Sequence, residues 1–435
     1  MLGTAIFLTP SDIARTLPHG GLILAVWIAG GLLTLAGALT YAELGAMFPR
    51  AGGQYHYLKE AYGKLPAFLF GWASFFVIMS GGIAAIGAGF GEYFGLFVPF
   101  FSNDHRLFSI AIGSSPWTVS GGQLAGALAI ALLTAVNVFG VREGARVQNI
   151  LTALKVGSLG LFVALGFFVA APASPRLFAP LPSAGVGSAI GVALIAVLWA
   201  YDGWYNATFS AGEMRDPGRT LPRGLLAGTL AVVLVYAAVN LVYLRALPLA
   251  TMAASPRVGE AAAVALFGGS VARLVALAIL VAMFGCLSAN ILACSRIYQP
   301  MAEDGLFFAA LAKIEPRHAV PRASLVAQGI WAAVLVLSGS FEQLFTYVVF
   351  IEVVIFAATG IAIFVLRRKQ PETPRPYRAW GYPWVPGFFI AASALIAANT
   401  LFEKPAESVA GLGLLVLGLP AYAIWTRKSR RPKAG

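Results

Sequence analysis

Long apolar stretches alternate with short polar connections along almost the whole chain. Eleven of them approach or exceed the roughly 20 residues that a helix needs to cross a bilayer, and they cover 21–46, 66–98, 120–140, 147–171, 186–210, 225–246, 271–295, 323–339, 342–366, 384–402 and 407–426. The opening segment, 1–17, is apolar but short, and it looks like the second half of a spanning helix. With this segment counted, the pattern predicts an all-α polytopic membrane protein of about 12 transmembrane helices.

Composition supports this class and leaves no room for a soluble domain. Hydrophobic residues make up 59% of the 435 residues and charged residues 11%, and the mean hydropathy is +0.80. A soluble protein carries about 25% charged residues. We therefore expect 1–435 to form a single membrane domain embedded in the lipid bilayer. The longest of the connections expected in the cytoplasm, 296–322 and 367–383, are too short to fold alone, and 296–322 could form either short helices on the bundle or a solvated linker.

The distribution of basic residues predicts the orientation. If twelve spans alternate, 22 lysines and arginines fall in the connections and tail of one side and seven on the other. Because basic loops stay in the cytoplasm, we expect both termini to be cytoplasmic in a multi-pass protein of the cell membrane. The net charge of +12 is then a topology signal, and nucleic acid is not an expected partner.

A polar interruption lies within the apolar segment 186–210. The stretch VLWAYDGWYN, 197–206, places Asp202 and Gly203 well inside the span. Irregular backbone at membrane depth is tolerated only around a buried cavity, and intramembrane acids usually mark functional sites. The alternative is a kinked helix in which Asp202 bonds to a neighbour.

A second interruption opens the chain, in LGTAIFLTP. Five spans separate it from the first, and paired interruptions at corresponding places indicate the binding site of a secondary transporter. The exposed amides of a broken helix suit a carboxylate, and freed carbonyls suit an ammonium group. Such a site fits a zwitterion.

Five stretches carry a family resemblance. They are GTAIFLTP at the start, YAELGAMFPRAGGQYHYLKEAYG at 41–63, WAYDGWYNATFSAGEMRDPGRTLPRGL at 199–225, RIYQPMAEDGLFFAALAKIEPRHAVP, and PYRAWGYPWVP. Together they resemble the amino acid–polyamine–organocation (APC) superfamily, and within it the L-type amino acid transporter branch. The resemblance implies a five-plus-five inverted repeat with broken helices 1 and 6. The first repeat would cover 1–171, the second 186–366, and two extra spans 384–426.

The resemblance also implies a substrate site. Amides around Thr4 and Ala5 would hold the carboxylate, carbonyls near Met1, Trp199 and Asp202 would receive the amino group, and Trp199 would gate the site. An ordinary packing role for Trp199 is the alternative. The complete predicted set is Met1, Gly3, Thr4, Ala5, Trp199, Ala200, Tyr201, Asp202, Gly203 and Asn290.

Asp202 and Asn290 leave open questions. Some neutral amino acid transporters of the family have glycine at the position of Asp202, so the acid could favour cationic substrates. It could equally cap backbone amides at the break. Asn290 could line the pathway or bond a neighbouring helix.

Two charged residues within spans are candidates for ion coupling. Lys155 lies near the middle of span 5, where the resemblance implies that a lysine stands in place of the sodium ion of coupled relatives. It could replace sodium, carry a coupling proton, or serve as a structural tether. Glu352 in span 10 could line the pathway.

The start of the chain departs from the family. The family's first span begins well before its glycine motif, whereas this chain begins two residues before Gly3. Either the start codon is placed too late or half of a helix is lacking, and we expect the former.

The predicted function is secondary active transport of amino acids by alternating access, as an exchanger or a proton-coupled symporter, with neutral substrates favoured over cationic ones. A non-transporting amino acid receptor and a polyamine or organic cation carrier are the alternatives.

The four histidines show no metal-ligand spacing, and no catalytic motif is present, so we expect no enzyme activity, metal or cofactor. Cys286 and Cys294 fall in one apolar segment as small packing residues, outside any extracellular loop. No obligatory partner subunit is therefore implied, and a homo-oligomer is left open.

Overall fold

The computed structural model describes residues 2–112, 115–139, 141–169, 185–314, 320–339 and 341–429. These residues form a helical bundle with one short hairpin. The helices are α1 (Ala5–Leu8), α2 (Pro10–Thr16), α3 (Gly20–Met47), α4 (Gln54–Tyr62), α5 (Lys64–Ala73), α6 (Met79–Phe94), α7 (Gly121–Val138), α8 (Val141–Phe168), α9 (Val186–Tyr201), α10 (Pro217–Ala246), α11 (Leu249–Ala254), α12 (Val258–Phe267), α13 (Gly269–Cys294), α14 (Tyr298–Glu303), α15 (Arg322–Ser338), α16 (Phe341–Lys369), α17 (Trp384–Glu403) and α18 (Pro405–Ser429).

The polytopic architecture predicted from the apolar pattern is confirmed. Within the described residues, ten helices are long and apolar enough to cross a membrane. The 17-residue helix α15 and the opening pair α1–α2 correspond to the other two expected spans. Helices α5 and α6 join through a π-helical turn, Ser74–Ile78, and together form the third span.

The break in span 6 follows from Gly203. Helix α9 ends at Tyr201, and Asp202 then turns into an extended conformation with φ −55° and ψ 156°. Gly203 has φ +85°, in the left-handed region where glycine alone has no steric cost. The chain then continues as a 3-10 helix, Asn206–Glu213. The ladder of helical hydrogen bonds is therefore interrupted where the sequence analysis placed the break.

The opening segment is also irregular before it becomes helical. Gly3 and Thr4 form a bend, and helix α1 starts at Ala5. Helix α2 follows after Thr9 with Pro10 in its first turn, where the missing proline N–H costs nothing. The segment contacts α6, α9 and α12, so the start of the chain lies in the interior of the bundle.

An antiparallel hairpin is the departure from the all-α expectation. Strands β1 (Arg106–Ile112) and β2 (Ser115–Ser120) pair between the third span and α7. Alternating apolar and polar residues, as in WTVS of β2, have the period of a strand. The segment is too short and too polar to compete as a helix.

The connection after α13 packs onto the bundle. It contains α14 and a 3-10 turn, Ala309–Ala312, and the side chains of Leu306, Phe307 and Leu311 are buried. The structure thus shows short helices on the bundle, which was one of the two alternatives for 296–322.

Ion pairs join residues that the charge pattern assigns to the same side. On the predicted cytoplasmic side, they connect Lys59 with Asp304, Arg296 with Glu213, and Arg367 with Glu43. On the opposite side, Arg257 pairs with Glu92, and Arg15 lies 3.9 Å from Glu342. The relative placement of these connections is therefore consistent with the predicted alternation of spans.

Candidate substrate-binding site

A cavity lies between the two broken spans and α6 and α13. Its cavity volume is about 30 Å³. Its lining comes from four elements and comprises Gly3, Thr4, Ala5, Ile78, Met79, Gly82, Ile86, Trp199, Ala200, Asp202, Asn206, Cys286, Asn290 and Cys294. Seven of the ten residues predicted for the substrate site are in this lining. The two interruptions, far apart in sequence, therefore meet at one cavity.

Span 1 contributes backbone amides and one hydroxyl to the cavity. Because α1 starts at Ala5, its first amide groups lack helical acceptors. The Thr4 side chain is 2% exposed, and its Oγ1 has no hydrogen-bond partner among the described residues. A buried hydroxyl without a partner loses free energy relative to water. A ligand acceptor in the cavity, such as a carboxylate, would satisfy it.

Trp199 covers the cavity from one side. Its ring is parallel to that of Phe345, with centroids 6.1 Å apart, and lies edge-on to Phe341 at 6.4 Å. Phe341 also lines a wider vestibule of about 870 Å³ on the predicted extracellular side. The Trp199 Nε1 is buried and has no acceptor within the part of the chain that the structure describes. Trp199 therefore lies between the vestibule and the cavity, with an unused donor.

Asp202 lies at the end of α9 next to a second acid. Its Oδ1 accepts a hydrogen bond from the Gly203 amide, which is the local contact that the capping interpretation describes. The Glu352 carboxyl of α16 is within hydrogen-bonding reach of the Asp202 carboxyl and accepts from the Tyr205 hydroxyl. Glu352 is 3% exposed and lies behind Asp202, outside the cavity lining.

Asn290 has both of the roles that the sequence left open. It lines the cavity, and its Oδ1 accepts from Asn206 Nδ2 at 3.0 Å while its own Nδ2 donates to the Cys286 carbonyl at 2.9 Å. This contact connects the segment after the span 6 break to α13. The Asn206 Oδ1 is buried and has no donor among the described residues.

Sequence reasoning missed Asn206 and the two cysteines. Asn206 is part of the quoted stretch VLWAYDGWYN, and its polarity near a break was an available signal. Cys286 and Cys294 both line the cavity, whereas the sequence suggested packing residues. Nothing in their apolar segment indicates which helix face meets the cavity.

Two of the predicted residues are placed outside the cavity lining. The buried Tyr201 side chain donates to the Trp27 carbonyl at 3.1 Å and contacts Tyr236 rather than the cavity. Gly203 shapes the break through its backbone but is not part of the lining. Met1 lies outside the described residues. Tyr201 and Gly203 therefore support the site through the backbone and packing around it.

Lys155 lies at a different cavity. Together with Ser158, Phe162 and Tyr243 it lines a space of about 40 Å³ between α8, α10, α12 and α13. Phe7 of α1 borders the same space. The lysine is thus close to span 1 but does not share the cavity that holds Asp202.

The predicted cytoplasmic side of the molecule is closed below the cavity. Glu43 of α3 is fully buried and accepts from Arg367 at 2.7 and 2.9 Å and from the Ala379 amide. The Thr208 side chain lies against Gly53, which fixes the loop after α3 against the segment after the span 6 break. With a vestibule on one side and packed ion pairs on the other, the structure is in an outward-facing state relative to the predicted topology.

The whole chain matches a known family. The sequence profile described as "Amino acid permease" matches residues 1–419. The chain belongs to the amino acid permease family. The prediction of an APC superfamily transporter is confirmed, and the motifs quoted above lie within the matched range.

The permease is similar to characterised transporters along nearly its full length. It is 29% identical to the serine/threonine exchanger SteT of Bacillus subtilis (strain 168), over 97% of this chain and 92% of that protein. It is 28% identical to the large neutral amino acids transporter small subunit 2 of Mus musculus, over 100% and 80%. It is also 28% identical to the b(0,+)-type amino acid transporter 1 of Homo sapiens, over 99% and 88%. These relatives are transporters, so the prediction that the permease is not an enzyme is confirmed.

Proposed function

We propose that this permease carries amino acids across the cell membrane by alternating access, as an exchanger or a proton-coupled symporter. The observation that carries this proposal is the shared cavity of the two broken spans. Span 1 offers the unpartnered Thr4 hydroxyl and free amides for a carboxylate. Span 6 offers the carbonyls that end α9 for an ammonium group. Carboxylate and ammonium are the two groups that every amino acid presents.

Neutral amino acids fit the remaining lining better than cationic ones. Ile78, Met79, Ile86 and Cys286 give the cavity small and apolar walls. The one acid in the lining, Asp202, accepts from the Gly203 amide and lies next to Glu352. A lysine or arginine side chain would need a second acceptor for its charge. The relatives named for serine/threonine and for large neutral amino acids agree with this preference.

In this proposal the substrate-binding residues are Gly3, Thr4, Ala5, Trp199, Ala200, Asp202 and Asn290, with Asn206 added from the structure. Met1 and the backbone around Tyr201 and Gly203 remain part of the prediction. Both termini lie in the cytoplasm. Cys286 and Cys294 are buried at the cavity, and we propose that the permease works without a disulfide-linked subunit.

Uptake of radiolabelled amino acids into proteoliposomes tests the proposal. Neutral and cationic amino acids are compared in empty vesicles and in vesicles preloaded with unlabelled amino acid. Uptake that requires preloading indicates an exchanger, and uptake into empty vesicles driven by an inward proton gradient indicates a symporter. Binding without movement in either condition would contradict transport and identify a receptor.

A further inference from the structure

The broken end of span 6 places two carboxyl groups together at membrane depth. Asp202 ends α9, Glu352 lies in the middle of α16, and their carboxyls are within hydrogen-bonding reach of each other. The Tyr205 hydroxyl donates to Glu352, and the Gly203 amide donates to Asp202. Asp202 faces the substrate cavity and Glu352 does not.

The surroundings supply little compensating charge. None of the ion pairs that the structure describes includes Asp202 or Glu352. The titratable side chains that the charge of the pair acts on are Tyr205, Tyr41 of α3 and Cys294 of α13, all neutral in their ordinary state near pH 7.

Two carboxylates in contact away from water repel each other strongly, so a close pair retains one proton between its members. With one proton the pair carries a single negative charge, which matches the single positive charge of a substrate's ammonium group. Without the proton the pair would carry two negative charges in a cavity that offers one cation. Proton binding and substrate binding therefore favour each other.

Two further groups show that the cavity beside the pair is built for a polar ligand. Thr4 Oγ1 and Trp199 Nε1 belong to side chains 2% and 5% exposed, and neither atom has a partner among the described residues. Both side chains line the same cavity as Asp202. The acid pair is thus adjacent to a site with unused hydrogen-bonding capacity, and it is not an isolated cluster.

We propose that Asp202 and Glu352 form a proton-binding carboxyl pair, and that its proton crosses the membrane together with the amino acid. The inference rests on the proposed transport function and assigns its coupling ion. Asp202 is on the broken span and Glu352 is on α16, so a movement of span 6 relative to α16 separates the carboxyls. Separation lets both ionise, and the proton leaves to the side that is then open.

The decisive variant is Glu352→Gln. Glutamine has the shape of protonated glutamate and can donate to Asp202, so the pair keeps a single negative charge at all pH values. We expect exchange of unlabelled for labelled amino acid to persist within about threefold of wild type. We expect accumulation driven by an inward proton gradient to be lost, where one pH unit sustains up to about tenfold accumulation in wild type. An entrapped pH dye should report no substrate-dependent acidification. Glu372→Gln, in an exposed loop, is the matched control and should behave as wild type.

An infrared measurement tests the pair without transport. Wild type should show the C=O stretching band of a protonated carboxyl near neutral pH, Glu352→Gln should lack it, and Tyr205→Phe should shift its frequency because a hydrogen-bond donor is removed.

A carboxyl band that is unaffected by Glu352→Gln would overturn the shared proton. Glu352→Gln vesicles that still accumulate substrate with the proton gradient overturn the coupling. If wild type exchanges amino acids without any dependence on protons, proton cotransport is contradicted but the proposed transport function is not. If no amino acid moves either by exchange or with a proton gradient, both the proposed function and proton cotransport are contradicted.

Discussion

At the scale of single residues, Trp199 separates the vestibule from the cavity by stacking on Phe345. Aromatic contacts of this kind contribute about 0.5–1.5 kcal/mol beyond buried area. We expect Trp199→Ala to lower amino acid affinity by about three- to tenfold and Trp199→Phe to retain most of it, measured as the concentration dependence of uptake. Trp380, 73% exposed, provides the control: Trp380→Ala should leave affinity unchanged, and equal effects of both alanine variants would contradict a gate at Trp199.

The two cysteines offer an independent probe of the cavity. Cys286 and Cys294 line it together with Asp202. We expect a small thiol reagent to inhibit uptake in wild type and to have no effect on the double variant Cys286→Ala with Cys294→Ala. Bound substrate should protect, because it fills the space that the reagent needs. Inhibition that persists in the double variant, or an absence of protection, would argue against this cavity as the substrate site.

Prediction from sequence was uneven at this scale. Asp202 and Thr4 were singled out because a break in an apolar span is visible in the sequence and marks a cavity, whereas Trp199 was assigned from the family resemblance. The contact between Asp202 and Glu352 could not be found, since it depends on the register of α9 against α16. Tyr201 was assigned to the site with its neighbours, but its side chain leaves the helix on the side of Trp27.

At the scale of elements, the break in span 6 depends on Gly203. A residue with a Cβ at its φ of +85° costs roughly 1–2 kcal/mol. We expect Gly203→Ala to reduce uptake at least several-fold, because the backbone at the break would shift and displace Asp202. Gly187→Ala is the control, since Gly187 lies in the same helix α9 with open space around its Cα. Comparable uptake in Gly203→Ala and Gly187→Ala would show that the break does not require the left-handed conformation at residue 203.

The short helices α4 and α14, on the predicted cytoplasmic side, are joined by a small polar cluster. Asp304 accepts from Lys59 at 2.6 and 2.7 Å and from the Tyr55 hydroxyl at 2.6 Å. Burial raises the pKa of Asp304, but the hydrogen bonds from Lys59 and Tyr55 outweigh it and leave the pKa below its usual value. Since the folded state then binds this proton more weakly than the unfolded state, the cluster stabilises the fold above the unfolded pKa of about 3.9.

We therefore expect Asp304→Asn to lower thermal stability at neutral pH by about 1 kcal/mol, measured as the melting temperature in detergent. The difference from wild type should shrink as the pH falls below about 3.9 and through the lower pKa of the folded state. A difference that stays constant over this range would mean that the Asp304 charge does not contribute. Glu303→Gln, at the neighbouring position, serves as the reference variant.

The sequence predicted the membrane-spanning helices more completely than it predicted the contacts between individual residues. Every predicted apolar stretch contains a helix of the structure, because length and hydropathy are sufficient to identify a spanning segment. The β1–β2 hairpin was missed although the alternation of a strand was present in WTVS. A search for long apolar segments does not detect a two-residue alternation of apolar and polar residues within a short connection.

At the scale of the whole molecule, the predicted cytoplasmic side, opposite the vestibule, is closed by ion pairs. One of them joins Glu213, in the 3-10 helix after the span 6 break, to Arg296 at the end of α13. Arg296 is buried and Glu213 is half exposed. In the proposed alternating access, opening the cavity towards the predicted cytoplasmic side would separate these two segments. We therefore expect the ion pair to break in each transport cycle.

Glu213→Gln removes this contact at its exposed end and should shift the population towards the inward-facing state by about fivefold, corresponding to about 1 kcal/mol for the ion pair. Cys294 of the cavity is the reporter. A membrane-impermeant thiol reagent should label Cys294 faster from the cytoplasmic side of inside-out vesicles in Glu213→Gln than in wild type, and more slowly from the opposite side in right-side-out vesicles. Glu372→Gln should change neither rate. Faster labelling from both sides would indicate that the helices pack less tightly, and not that the conformational equilibrium has shifted. Unchanged labelling would show that the Glu43 contacts alone keep this side closed.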